Sequence, residues 1–344
     1  MNVKKFIALT LSLVFALSLC ACGTRTAGDS SSADPSAQTW NFTIANTDTD
    51  ARSLNKAAKE FADYMSEKTD GRFQVRIAMN GELGDDEELL KAISLGTVDM
   101  YIGYNGIMTG LLGDKVGMFE LPFLFNDRDH FLRTMDNGGL DLYNKQLEGS
   151  GYYCVGMAYE GARQMLTTKP VTCLEDMKGL KIRCGNVQSY IDYYTAIGAA
   201  PTAIQFGEVY TSLAQGVIEG VDHVACILED QGFVGAAKAY TQDSHIISPC
   251  CYMVSDKFLD TLPDDIREIF LQGVADMCAK QTEAEGGLEE SLPSKWEEEG
   301  LTITILDDSE RARFREAAQS VYDSYAAKYP DLSAEAWALV EANA

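Results

Sequence analysis

The sequence predicts an α/β fold of two lobes with a cleft between them and long helices at the C-terminal end. Three observations point there. Short apolar or alternating runs take turns with amphipathic stretches over 40–103, and again over 152–222; this is the grammar of mixed sheets built on parallel strands with helical crossovers. Beyond residue 263 the chain carries long amphipathic stretches. With 344 residues, 46% of them hydrophobic and 10% aromatic, it has material for two packed cores.

Each element follows from its own pattern. Trp40–Ala45 alternates as a first strand. Leu54, Ala57, Ala58, Phe61 and Met65 share one face of a helix over 54–67. Phe73–Ala78 is a second strand, and 85–95 a helix whose acidic first turn suits the positive end of its dipole. Val98–Gly103 is a buried third strand. The second cycle places strands at 152–158, 181–183, 202–204 and 220–222, with helices at 189–197 and 206–215. After Pro249 comes a hydrophobic strand, Cys250–Val254, then helices over 263–299 and 309–328. In such folds ligands sit beyond the carboxyl ends of the strands, which says where to look.

Charge narrows the partners. The 52 acidic residues outnumber 28 basic ones, for a net charge of −24. That field repels phosphate backbones and anionic lipid, so neither nucleic acid nor polybasic membrane docking is expected. The three histidines, His130, His223 and His245, form no HxxxH or HExxH pattern, and no metal site is expected. The sequence holds no GxSxG elbow and no glycine-rich phosphate loop, so neither an enzyme nor a cofactor is expected. Carboxylate pairs such as Asp85 and Asp86 fall where a helix start favours them.

The N-terminus reads as an export signal: Lys4 and Lys5 precede an apolar run, Phe6–Leu19, too short to span a bilayer comfortably. Leu19-Cys20-Ala21-Cys22-Gly23 resembles a bacterial lipobox. The expectation is a signal peptide over 1–21, lipidation of Cys22, and a small, polar, Ser-rich tether over 22–38. The chain is then an exported lipoprotein anchored in the periplasm or at the outer face of the cytoplasmic membrane. Seven further cysteines, at 154, 173, 184, 226, 250, 251 and 278, form no CxxC pair. An odd set scattered this way reads as small buried apolar side chains. Cys250-Cys251 admits a vicinal metal or redox site, but its apolar strand-like setting favours the packing role.

Five segments in order carry a resemblance to a known family. Gly81-Glu82-Leu83-Gly84, with Gly96-Thr97-Val98-Asp99-Met100 after a helix, resembles GQLG…GxxDM; Leu121-Pro122-Phe123-Leu124-Phe125 resembles LPFLF. Residues 174–183 (LEDMKGLKIR) resemble DLKGLKIR, 206–213 (FGEVYTSL) resemble FxEVYxAL, and 216–220 (GVIEG) resemble GxVDG. Together they are similar to the DctP-type solute-binding proteins of TRAP transporters, over about residues 40–330. The resemblance implies a periplasmic-binding-protein-like fold. It also implies a receptor that closes on a small organic acid and delivers it to membrane permease subunits driven by an ion gradient. The lobes expected are 39–160 with about 249–288, and 161–248 with about 289–340. A receptor for an ATP-driven transporter, or a sensor for a non-carboxylate solute, is the alternative; the LPFLF and KGLKIR segments speak against it.

The resemblance implies that Arg183, the arginine of KIR, forms a bidentate bridge to the substrate carboxylate, a match that guanidinium geometry favours independently. The alternative is an ordinary surface ion pair. Arg163, in Gly161-Ala162-Arg163, stands where the family carries a second arginine; it either faces the cleft or forms a salt bridge near the hinge. Where the family reads QEN, this chain reads Val221-Asp222-His223, so His223 replaces a ligand-binding asparagine. It either donates to a ligand oxygen or packs as a neutral ring. Asn46, Thr47 and Asp48 follow the first strand, Glu82 the second, and Tyr104 and Asn105 the third. Asp48 and Glu82 suit ligand hydroxyls or helix starts, and Phe206 suits stacking on the ligand's carbon face. A C4-dicarboxylate, a sugar acid and a 2-oxo acid all satisfy this set.

Overall fold

A computed structural model of the chain describes residues 38–202 and 204–344. The expected signal peptide, lipidated Cys22 and tether up to residue 37 lie outside the described residues. So does Ala203, within the strand expected at 202–204.

The first α/β cycle falls close to where the patterns put it. It comprises β1 (Trp40–Ala45), α1 (Ser53–Lys68), β2 (Phe73–Ala78), α2 (Asp86–Leu95) and β3 (Met100–Tyr104). The acidic start of α2 is a capping box: the Asp85 side chain accepts from Glu88 N at 2.9 Å, and Glu88 Oε2 accepts from Asp85 N at 3.0 Å. Three short helices follow, α3 (Asn105–Leu112), α4 (Arg128–Thr134) and α5 (Leu140–Leu147), then β4 (Tyr152–Thr167). The second cycle is β5 (Lys181–Arg183), α6 (Gln188–Ala196), β6 (Ala200–Thr202), α7 (Val209–Ala214), β7 (Gly220–His223) and α8 (Ala225–Asp230). The chain ends with β8 (Ala239–Ser255), α9 (Asp264–Glu298), β9 (Thr302–Ile305), α10 (Asp308–Ala317), α11 (Gln319–Lys328) and α12 (Pro330–Ala342).

The strands form one mixed sheet in the order β2-β1-β3-β8-β4-β7-β5-β6, with β9 alongside β8. β1 runs parallel to β2 and β3, and β5 parallel to β6 and β7. Between these two parallel ends lies the antiparallel pair β4 and β8. Two α/β lobes therefore share two central strands. This is the two-lobed fold expected, with one difference: 152–158 and 250–254 are parts of strands 16 and 17 residues long. Their extension is hidden in the sequence because β4 is bulged between Cys154 and Gly156 and between Tyr159 and Gly161, and β8 between Thr241 and Ile246. Each bulge moves the following side chains to the other face, and both faces are buried, so no alternation survives.

Helix α9 packs on β4 and on α1. Its approach depends on Gly156, where a Cβ would lie 2.7 Å from Cys278 Sγ and 2.8 Å from Val274 Cγ1. The helix expected at 309–328 is divided into α10 and α11 at Ala318, and α12 follows, opened by Pro330. α11 packs on α6 and α12 on α4. Among the described residues no helix is long and apolar enough to cross a membrane.

Candidate functional site

The carboxyl ends of the parallel strands supply the candidate groups. Arg183 ends β5, His223 ends β7, Tyr104 ends β3, and Asn46–Asp48 follow β1. Arg183 is 8% exposed. Its Nε donates to Ile204 O at 3.3 Å, and its guanidinium lies 5.5 Å from the centre of the Phe206 ring. Burial pulls its pKa below the ordinary value; Asp222 opposes and Arg163 adds to that. No carboxylate pairs with Arg183 among the described residues. A buried, unpaired guanidinium is costly unless an anion completes it.

Arg163, projecting from β4, is held differently. Its Nε donates to Asp222 Oδ2 at 2.7 Å and its Nη2 to the Asp222 carbonyl at 2.9 Å, while its guanidinium lies 4.9 Å from the Tyr190 ring centre. Asp222 is fully buried, and its other carboxylate oxygen, Oδ1, has no hydrogen-bond partner among the described residues. Oδ2 also lies 3.3 Å from His245 Nε2, whose Nδ1 is 3.0 Å from Asp243 Oδ1. Burial disfavours the charged ring, but Asp243 and Asp222 outweigh it and raise the His245 pKa to about 9. Burial likewise opposes the Asp222 charge, yet Arg163 and His245 hold its carboxyl below the usual range. Tyr190 in turn donates to Glu120 Oε1 at 2.6 Å; burial raises that carboxyl to about 7.

His223 accepts from Val224 N through Nδ1 at 3.0 Å, and its ring centre is 5.8 Å from that of Phe206. Burial and the charges of Arg163, Arg183 and Arg52 push its pKa well below the ordinary value. The ring is therefore neutral, with its proton on Nε2.

On the first-lobe side Tyr104 OH donates to both oxygens of Asp48, at 2.8 and 2.9 Å, and burial raises the Asp48 pKa. Asn46 is fully buried and holds the turn: its Oδ1 accepts from Asp48 N at 3.0 Å and its Nδ2 donates to Asn55 at 2.7 Å. Asn105 is equally buried, donating to Val116 O and Glu120 and accepting from Tyr143 OH. Thr47 Oγ1 donates to Asp86 at 2.9 Å. Glu82 is exposed, in an ion pair with Arg76 and not with the central arginines. The structure thus brings Arg183, Phe206, His223 and Arg163 together, and joins Asp48 to Tyr104.

Sequence reasoning missed Arg52, at the start of α1. It is 4% exposed and sits among Glu160, Asp230, Asp48 and Glu285, with Nη1 3.2 Å from Asp230 Oδ2 and Nε 3.5 Å from Asp48 Oδ1. It also missed Asp222 and His245 as Arg163's neighbours. These groups come from separate strands and turns, so no spacing in the chain announces them. A cavity of about 720 Å³ lies elsewhere, against Asp127, Asp129, Glu289, Glu290 and Glu297. Its acidic walls are unsuited to an anion, and the arginine cluster is the better site on chemistry.

Comparison with known proteins gives the same outline. The profile of the DctP family, bacterial extracellular solute-binding protein family 7, matches residues 44–328. The sialic acid-binding periplasmic protein SiaP of Vibrio cholerae is 27% identical over 270 residues, covering 78% of this chain and 83% of its own. A TRAP periplasmic solute-binding protein of Chromohalobacter salexigens, solved with bound D-glucuronate, superposes with a TM-score of 0.80 at 25% identity, over 88% of this chain and 99% of its own. Another from Sulfitobacter sp. NAS-14.1, with bound β-D-galacturonate, gives 0.77 at 25% identity, over 88% and 99%.

Proposed function

The chain belongs to the bacterial extracellular solute-binding proteins of family 7, and from that premise we propose that it captures a small hydroxylated organic acid by clamping the carboxylate with Arg183. The observation that carries this reading is Arg183 itself: buried at the carboxyl end of β5, with no carboxylate partner among the described residues. A guanidinium presents two parallel N–H donors to one carboxylate, and that pairing strengthens as water is excluded. Phe206 offers an apolar face beside it, His223 Nε2–H a neutral donor, and Asp48 an acceptor for hydroxyls. The bound acids of the two similar structures, glucuronate and galacturonate, are of this kind.

The lobes in this reading are 39–160 with about 249–288, and 161–248 with about 289–340, flexing about β4 and β8. Closure follows because a ligand touching both lobes makes its full set of contacts only in the closed state. The loaded receptor hands its acid to TRAP-type permease subunits, and a lipid on Cys22 after removal of 1–21 anchors it outside the cytoplasmic membrane. Labelled fatty acid should be incorporated by the wild type and not by Cys22→Ser; label in neither removes the anchor from this account.

The function is tested by thermal shift and calorimetry against a panel of aldonates, uronates, 2-hydroxy acids and neutral sugars. Binding confined to acids, weakened more than about tenfold by Arg183→Ala, is expected. Tight binding of neutral sugars alone, or an Arg183→Ala affinity within tenfold of wild type, would overturn the clamp.

A further inference from the structure

We propose that Asp222 sets this receptor to acids carrying a single carboxylate, by cancelling the second arginine of the site. The inference rests on the acid-receptor reading above and narrows its substrate class.

Two arginines side by side suggest a dibasic ligand. The geometry points the other way. Three guanidinium groups act on His223, those of Arg163, Arg183 and Arg52. Arg52 is ringed by the carboxylates of Asp48, Glu160, Glu285 and Asp230, which more than offset its charge. Arg163 spends its Nε on Asp222 Oδ2 at 2.7 Å and its Nη2 on the Asp222 carbonyl at 2.9 Å. That contact belongs to a buried set of alternating charges. His245 lies between Asp222 Oδ2 and Asp243 Oδ1, at 3.3 and 3.0 Å, so Arg163, Asp222, His245 and Asp243 sum to zero. Arg183 is the member of the trio left without a carboxylate among the described residues.

One uncompensated cation matches one carboxylate. A second carboxylate entering the closed cleft would lose its hydration with no counter-charge to replace it, a cost that paired charges escape and lone ones do not. A hydroxyl in the same place carries no such cost. It has donors in Arg163 Nη1 and His223 Nε2, and an acceptor in Asp48, where Oδ1 and Oδ2 already take Tyr104 OH. Asp222 is the determinant because it is fully buried and fixed in β7 opposite Met165 of β4, so it does not swing away to release Arg163.

The test uses the full chain and matched acids that differ by one carboxylate: gluconate with glucarate, galactonate with galactarate, and lactate with malate. Affinities are read by calorimetry at about pH 6, where His245 is charged. The wild type is expected to bind the monobasic member of its preferred pair at least about tenfold tighter. Asp222→Asn, which frees Arg163, should shrink that ratio by about tenfold, and Asp222→Glu should restore it. Should Asp222→Asn fail to fold, the neutral double variant Arg163→Gln/Asp222→Asn keeps the site's charge and must keep the preference. Equal binding of both members by the wild type overturns the proposal. So does an unchanged ratio in folded Asp222→Asn, or a lost preference in the double variant. If no acid of any pair binds and none of the wider panel above does either, the receptor reading itself fails and this proposal with it; an acid that binds only in the wider panel is compared with its own dicarboxylate in the same way.

Discussion

Arg52 at the start of α1 reaches Asp230 at the end of α8, Nη1 to Oδ2, across 3.2 Å and 178 positions of sequence. Strand β1, which leads to Arg52, and strand β7, which leads to Asp230, are separated in the sheet by β3, β8 and β4. The contact therefore joins the two parallel ends over the central strands. Beneath it lie Glu160 of β4 and Glu285 of α9, so one guanidinium ties four elements at the junction.

The two ends of that tie should differ in weight. The Asp230 side chain is 42% exposed, and such pairs contribute about 0–1 kcal/mol. Asp230→Asn is expected to leave stability nearly unchanged and to weaken ligand affinity by no more than about fivefold, through a less favoured closed state. Arg52→Met leaves Glu160, Glu285 and Asp48 without their cation and should cost about 3–5 kcal/mol at pH 7. Burial raises the pKa of both Glu160 and Asp48, so these carboxyls take up protons as pH falls and the penalty shrinks. Urea titrations at about pH 7 and pH 5 check this; an equal penalty at both would contradict it.

Arg183 and Arg163 should respond oppositely to the same exchange. Arg183 makes one long hydrogen bond to Ile204 and a ring contact with Phe206, so Arg183→Lys should change unfolding free energy by less than about 1 kcal/mol. Its ligand affinity should fall about tenfold or more, because one ammonium does not reproduce the fork. Arg163→Lys loses the paired contacts to Asp222 and the face of Tyr190 and should destabilise the fold by about 1–3 kcal/mol. Calorimetry and urea melts on both variants separate the two roles.

The sequence displayed some of this and hid the rest for physical reasons. β1, β2 and β5 match residue for residue, because each is a short run bounded by turns. Arg183 was visible in its KIR segment, at the end of a strand. The full lengths of β4 and β8 were invisible because bulges and burial on both faces erase the period of two. Arg52 stood in a polar run, Thr47–Arg52, that reads as loop, and only folding brings Glu160 and Glu285 to it. The pairing of Arg163 with Asp222 follows from the β4–β7 register, which sets Met165 opposite Asp222 and Gln164 opposite His223. Register is not written in either strand alone.

The crossing of α9 over β4 should be intolerant of a single methyl group. At Gly156 an added Cβ meets Cys278 Sγ at 2.7 Å and Val274 Cγ1 at 2.8 Å, both on a helix 35 residues long and anchored against α1. Both are side-chain atoms of α9, so room for the methyl requires a rotamer change or a shift of the helix. Gly156→Ala is expected to cost about 1–3 kcal/mol in urea unfolding, and Gly156→Ala with Cys278→Ala to recover part of it. No recovery would mean that Val274 carries the clash.

Finally, His245 should write a pH dependence into stability. Its folded pKa is about 9 against an ordinary value of 6.5. Because the folded value is the higher one, its contribution is fully present below about pH 6.5 and is lost as pH rises through 9. Within that window stability should fall with a limiting slope of about 1.4 kcal/mol per pH unit. Glu120, raised to about 7 by burial, adds a loss of the same sign that ends near neutrality, and buried Glu160, raised as well, adds another, so the histidine's share is read as the difference between wild type and a variant without the ring. His245→Gln retains a donor toward Asp222 or Asp243 and has no proton to lose. Its urea stability should be lower than wild type at pH 7 and should fall less steeply than wild type from about pH 7.5 to 9. A wild-type profile of the same slope would show that Asp222 and Asp243 do not hold the ring charged.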